Sequence, residues 1–325
     1  MGVNVVTTSC LSEVETYPLQ LVAENSPAEI ARNALSAFMQ RANISIRGLI
    51  CDPNGVLERR VREIVEGWDL GVPPKRYEPH LMASVNISAA AYGHTPLDVQ
   101  VHIALYTLVA ICVDDFNVDT HALQEFSTRL HSGLPQLHPV LEYLVYTLHH
   151  MSDFYLPYAC KVITTASTEF VDMTLFEKET EDMPLSGHAL RWAEQKRVRN
   201  GIGEAYALFI YDKFSFPDIV THIQANPDIA LLTDYMNDIF SFYKEELAGE
   251  TRNFIHDRAV TTNKSVSAAL TDTVDEIVAA TQTARRILQG QKEKDVLGRF
   301  MAGYAAFHFQ SARYRLKDLM GSELL

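Results

Sequence analysis

The sequence predicts an all-α helical bundle in a single domain, and three observations predict it. One kind of helix start recurs, long segments carry apolar residues at a spacing near 3.6, and alternating strand patterns with hairpin turns are missing. The first start, Ser26-Pro27-Ala28-Glu29, puts a capping serine before a proline at the first helical position. Its glutamate stands three residues after the cap. Thr95-Pro96-Leu97-Asp98 and Asn226-Pro227-Asp228 repeat the order of cap, proline and acid, and Phe216-Pro217-Asp218 is a weaker version. Helical periodicity then runs through 96–116, 140–152, 160–178, 189–211, 227–247 and 296–318. The stretches 71–74, 183–187 and 261–264 read as connecting loops, rich in glycine, proline or polar residues. With no repeat, linker or composition shift to mark a boundary, ten or more helices over 1–325 form one domain. Residues 1–25 are expected to pack near the mouth of its site.

A chain of 325 residues that is 47% hydrophobic can bury a substantial core. Its 28 basic and 41 acidic residues give a net charge of −13, which would repel a phosphate backbone and argues against nucleic acid as a partner. Any anionic substrate must therefore be held by local cations or by metal ions. The cysteines, Cys10, Cys51, Cys112 and Cys160, form no CxxC pair and read as reduced intracellular thiols. The amino-terminal stretch has no basic region followed by a long apolar run, and Val6 stands where a myristoylation motif needs Ser or Thr. The most apolar run, Ile103–Val113, is eleven residues, short for a bilayer and suited to a buried helix. A cytoplasmic protein without a membrane span is the expectation.

Two acidic clusters carry the chemistry. The helix after Thr95 is apolar almost throughout and then reaches Asp114-Asp115, with Asn117 and Asp119 beyond. A helix carboxyl end already bears partial negative charge, so two carboxylates there call for a cation. Mg²⁺ suits them, since it takes oxygen ligands and is usually bound through one or two carboxylates plus substrate phosphates. The pair suits a solvated helix end followed by an acidic turn equally well. On the helix after Asn226, Asn237, Ser241 and Glu245 are spaced i, i+4 and i+8, within an arc of roughly 80°. Amide oxygen, hydroxyl and carboxylate thus form one column of hard ligands. A polar stripe on an exposed helix is the alternative.

The two clusters together resemble those of the class I terpene cyclases. Asn237-Asp-Ile-Phe-Ser241-Phe-Tyr-Lys244-Glu245 is similar to the fungal trichodiene synthase branch in particular. The resemblance extends to Arg197-Val-Arg-Asn200-Gly201-Ile-Gly203, similar to the family's diphosphate-sensing arginine and the helix break after it, and to a carboxyl-terminal segment from Gly303 through Arg313-Tyr314 to Leu316. It implies the class I terpenoid synthase bundle, a deep cavity open at one end, and three Mg²⁺ ions with farnesyl diphosphate at the mouth. Ionisation to an allylic cation and cyclisation to a C15 hydrocarbon would follow, and relatives of this kind form homodimers. Asp114, Asn237, Ser241 and Glu245 are the implied metal ligands; Arg197, Lys244, Arg313 and Tyr314 are the implied diphosphate donors. Asp115 would pair with Arg313 on closure, while Asn200 and Gly201 would link to a helix break whose carbonyl points at the reacting carbon.

Helical facing nominates Thr107, Ala110, Ile111, Thr233 and Asp234 for the cavity wall, with rings from Tyr304, Phe307 and Phe209. The motif departs from the family pattern in one place. Val118 stands where the third aspartate is usual and Asp119 follows it, so Asp119 is read as a loop acid. Competing readings are a C10 cyclase using geranyl diphosphate, a catalytically silent isoprenoid-binding protein, and a chain-elongating prenyltransferase. A metal phosphohydrolase built on His256-Asp257 is a further rival. Di-iron bundles fail, because none of the twelve histidines follows a glutamate by three residues.

Overall fold

Helix Leu97–Asp115 is apolar on every side and is therefore wrapped by its neighbours. In a computed structural model the described residues are 26–47, 49 and 55–321. The expected packing of 1–25, together with Cys10 and Cys51, lies outside them. In chain order the helices are α1 (Pro27–Arg41), α2 (Val56–Val65), α3 (Pro74–Ala91), α4 (Leu97–Asp115), α5 (Thr120–Ser132), α6 (Pro139–His149) and α7 (Pro157–Glu179). Then come α8 (Trp192–Asn200), α9 (Gly203–Leu208), α10 (Asn226–Ala248), α11 (Phe254–Thr262), α12 (Val266–Ile287), α13 (Gln291–Gln310) and α14 (Leu316–Met320). There is no strand among the described residues. By length and composition alone α4 could cross a membrane, but here α2, α3 and α6 pack around it and bury most of its side chains.

Local signals account for most of the boundaries. At α1 the expected capping box forms: Ser26 Oγ accepts from Glu29 N–H, and Glu29 Oε2 accepts from Ser26 N–H at 2.9 Å. Two other expected caps do not form. The Thr95 hydroxyl donates instead to the Tyr92 carbonyl at 2.9 Å, which leaves α4 to start behind Pro96 without a side-chain cap. Asn226 follows directly on two 3-10 turns, so its predecessor Ala225 is already helical and no free cap position exists. Asp218 caps the first of those turns rather than a full helix, accepting from Val220 N–H at 3.0 Å. At the far end of α4, Phe116 closes the helix and Asn117 turns the chain at φ 46°. Asp119 then caps α5 by accepting from Ala122 N–H at 2.9 Å.

Helix α10 packs on α1, α9 and α12, while α13 lies across α3. The α13–α3 crossing is so close at Gly303 that a Cβ there would overlap the Ala90 carbonyl. This approach sets the depth of the residues that follow, Tyr304, Phe307 and His308. His308 is fully buried, stacked on Phe240 with centroids 4.9 Å apart, and its Nδ1 lies 2.8 Å from the Tyr304 carbonyl. Burial pushes its imidazole down to about 3. Because that lies below the unfolded value of about 6.5, the unfolded chain binds the proton more readily in between. His308 therefore makes stability fall as pH drops from about 6.5 towards 3. Thermal melts of wild type and His308→Phe between pH 7.5 and 5 isolate this contribution: the variant should lose less stability, or gain more, than the wild type as the pH falls.

Candidate active site

The carboxyl end of α4, the middle of α10, the α8–α9 junction and the end of α13 converge on one cavity of about 360 Å³. All eleven residues singled out in the sequence line it: Asp114, Asp115, Arg197, Asn200, Gly201, Asn237, Ser241, Lys244, Glu245, Arg313 and Tyr314. The expected wall residues Thr107, Ala110, Ile111, Thr233, Asp234, Tyr304 and Phe307 line it as well. Phe209 does not. It is fully buried behind the wall, packed edge-on against Tyr106 and Tyr206. The ring at that place is Tyr206, whose hydroxyl donates to Thr107 Oγ1 at 3.1 Å and so joins α9 to α4. Phe170, Ala83, Ile87 and Ile202 complete the apolar part, and none of them was nominated by the sequence.

On the α4 side, Asp114 is reached by solvent from the cavity yet hemmed in by protein. Burial, then Asp115 and Glu177, push its carboxyl up to about 6, with Arg313 pulling the other way. Asp115 Oδ2 is 3.5 Å from His80 Nε2 on α3, and the expected contact with Arg313 is absent in this conformation. Burial holds His80 below the ordinary histidine value despite Asp115, and Arg313 and Arg76 push the same way as burial. At neutral pH the contact is therefore with an uncharged ring. Arg313 lines the same cavity, and 37% of the Asp115 side chain is exposed.

On the α10 side, Ser241 is buried and, among the described residues, makes one long contact, 3.5 Å, to the Asp238 carbonyl. Glu245 Oε1 is 3.5 Å from Lys244 Nζ, and Lys244 lies 6.0 Å above the Tyr314 ring. Arg197 is more firmly held. Its Nε donates to Asp238 at 2.8 and 2.9 Å, and its Nη2 donates to the Asp234 carbonyl at 2.8 Å. Burial opposes the guanidinium charge, but Asp238 and Asp234 outweigh it and raise the group above its ordinary value. Burial also pushes the Asp234 carboxyl up to about 7, against the pull of Arg197. Asn200 reaches Arg197 Nη1 at 3.4 Å and donates to Glu177 Oε1 at 3.1 Å. After it the chain breaks, with Ile202 left-handed at φ 55° before α9 begins.

The phosphohydrolase rival has no such convergence. His256 Nε2 is 2.6 Å from Glu246, and Asp257 is paired with Lys196 at 3.2 Å. Among the described residues no three of His, Cys, Asp and Glu assemble into a metal cluster. The α10 column contributes only one such residue, Glu245, because its other two members are an amide and a hydroxyl.

Comparison with known proteins agrees with the geometry. The model of the trichodiene synthase (TRI5) family matches residues 60–323. Monoterpene synthase 25 of Postia placenta is 35% identical over 305 residues, 93% of this chain and 90% of that protein. Terpene synthase BipA of Cochliobolus sativus is 34% identical over 242 residues, 73% of this chain and 74% of that protein. The crystal structure of linalool/nerolidol synthase from Streptomyces clavuligerus superposes with a TM-score of 0.62 at 15% identity. It covers 82% of this chain and 99% of that one, a likeness of fold. With the family model spanning both acidic clusters and the Arg-Tyr pair, this chain belongs to the trichodiene synthase family and is an enzyme of the terpene synthase type.

Proposed function

We propose that the chain ionises an allylic prenyl diphosphate, farnesyl diphosphate first among them, and cyclises the cation inside the cavity. The observation that carries this reading is the convergence of Asp114 and the Asn237/Ser241/Glu245 column on one cavity whose deeper wall is apolar and aromatic. The donor set fits a hard cation: every group is an oxygen, Ser241 makes one long contact among the described residues, and Asp114 sits where extra positive charge is needed. Asp114, Asn237, Ser241 and Glu245 would hold Mg²⁺, with three ions in the closed complex by analogy with the family. Bound there, Mg²⁺ supplies neutralisation of the charge that gathers on the leaving diphosphate.

The chain's own groups do the rest. Lys244, Arg313 and Tyr314 lie beside the acidic clusters and donate to phosphate oxygens, Arg313 through a planar fork suited to two of them. Arg197 lines the same space while Asp238 holds its Nε. Tyr206, Tyr304, Phe307 and Phe170 place aromatic rings in the wall that would receive the hydrocarbon. The face of such a ring stabilises a cation by about 0.5–2 kcal/mol without capturing it.

A second reading, geranyl diphosphate as substrate, is favoured by one observation: the relative at 35% identity is named a monoterpene synthase. Parallel incubations with Mg²⁺ and either geranyl or farnesyl diphosphate separate the two. Inorganic diphosphate release with a volatile C15 product supports the first reading, and a C10 product alone supports the second. No diphosphate release from either overturns both and leaves an isoprenoid-binding protein.

A further inference from the structure

Asp115 has two candidate partners at the cavity mouth. The resemblance pairs it with Arg313 on closure, whereas here its Oδ2 lies 3.5 Å from His80 Nε2 on α3. The imidazole is well placed to hold it. Its side chain is 16% exposed and leans on the Phe116 ring, with centroids 5.3 Å apart. Phe116 closes α4 directly after Asp115 and is itself buried, so the ring beside His80 belongs to the core. The Arg76 guanidinium, one turn earlier on α3, sits 5.7 Å from the same ring centroid. Two side chains of α3 thus grip the end of α4, and His80 reaches its last carboxylate.

The grip is suited to being broken. Burial first, then Arg313 and Arg76, hold His80 below the ordinary histidine value against the pull of Asp115. At neutral pH the carboxylate therefore meets an uncharged ring, and 3.5 Å is the outer limit of a hydrogen bond. A guanidinium offers the same carboxylate a full opposite charge and two parallel N–H bonds, a stronger partner than one uncharged N–H at that distance. Arg313 lines the same cavity and acts through space on both His80 and Asp114, which places it within electrostatic reach of the pair. Asp115 can therefore change hands once Arg313 is engaged by a bound anion. A contact made in the empty site and lost in the occupied one works against binding and in favour of release.

We infer that His80 is a positioning residue for product release: it holds Asp115 in the empty site and takes it back from Arg313 when diphosphate leaves. The inference rests on the reading of Arg313 as a diphosphate donor that Asp115 joins on closure. Without His80 the empty site loses a contact and the occupied site loses none. Diphosphate is then held more tightly and for longer.

The test compares His80→Phe, which keeps a ring beside Phe116 and removes Nε2, with His80→Gln, which restores an N–H at the same reach. Calorimetry measures binding of Mg²⁺ with inorganic diphosphate to each and to the wild type. His80→Phe should bind the pair about 3–10-fold tighter, and His80→Gln should stay within about twofold of the wild type. With prenyl diphosphate, stopped-flow detection should find diphosphate released more slowly from His80→Phe by a similar factor. Its single-turnover ionisation should stay within about twofold of the wild type. In an Asp115→Ala background the same substitution should shift diphosphate affinity by less than about twofold, because the group it frees is gone. Should His80→Phe unfold, His80→Leu removes the nitrogen with less bulk and carries the same expectation. Affinity unchanged or weakened without the nitrogen, tightening that persists without Asp115, or a His80→Gln that behaves as His80→Phe does overturns the role of His80. Slowed single-turnover ionisation in His80→Phe overturns it too. A wild-type chain that binds no diphosphate overturns the reading of the mouth and this inference with it, and the first calorimetric run tells that failure apart.

Discussion

Asn237→Ala is expected to lower kcat for diphosphate release by roughly 10²–10³-fold, the scale seen when one electrostatic donor set at a reacting group is broken. Stability should barely change. Asn237 is half-buried on α10, faces the cavity, and has no role in the packing of α10 on α1 and α12 comparable with that of its buried neighbours Met236 and Phe240. Truncating a side chain of this kind usually shifts stability by less than about 0.5 kcal/mol. The two readouts therefore separate: a thermal melt within error of the wild type beside a nearly silent enzyme. Raising Mg²⁺ should recover part of the loss, because Ser241 and Glu245 remain in the column one and two turns further along. Near-normal turnover at ordinary Mg²⁺ would mean that the α10 column holds no metal.

The α10 column was legible because a helix turns spacing into direction: three oxygen-bearing residues at intervals of four must share a face wherever the helix ends up. Asp114 was legible for a related reason, since paired acids at the end of the apolar α4 need a cation. What escaped were residues whose role depends on how helices cross. Tyr206 and Phe170 reach the cavity because α9 packs on α7 beside α4, and Phe209, three residues after Tyr206, is turned behind the wall. Glu177, which holds Asn200 and burdens Asp114, sits far along α7 with no local pattern to mark it. The failed caps have local causes that only coordinates reveal: Tyr92 takes the Thr95 hydroxyl, and the 3-10 turns before Asn226 pre-empt the cap position. The resemblance pairs Asp115 with Arg313 in a closed state, whereas here Asp115 faces His80.

Asp114→Ala and Asp119→Ala should fail in opposite ways, although both acids belong to one short motif. Asp119 has left the cavity: its carboxylate caps α5 through Ala122 N–H, and Lys178 lies at the adjoining Val118 carbonyl. Removing it should cost about 0.5–2 kcal/mol of stability, the usual worth of such a cap. Turnover should remain within a few-fold. Asp114 makes no comparable structural bond and lines the cavity, with its proton affinity raised by burial, by Asp115 and by Glu177. Alanine there relieves crowded negative charge at the end of α4, so stability should hold or rise slightly while turnover falls by roughly 10²–10³-fold. The raised affinity adds a pH signature. Below about 6 the Asp114 carboxyl takes up a proton and cannot hold a cation, so the Mg²⁺ needed for half-maximal rate should climb as pH falls from 7.5 to 5.5. Asp119→Ala should keep that climb unchanged. Equal losses of turnover in the two variants would show that the extra residue before Asp119 is absorbed on binding and that both acids serve the metal.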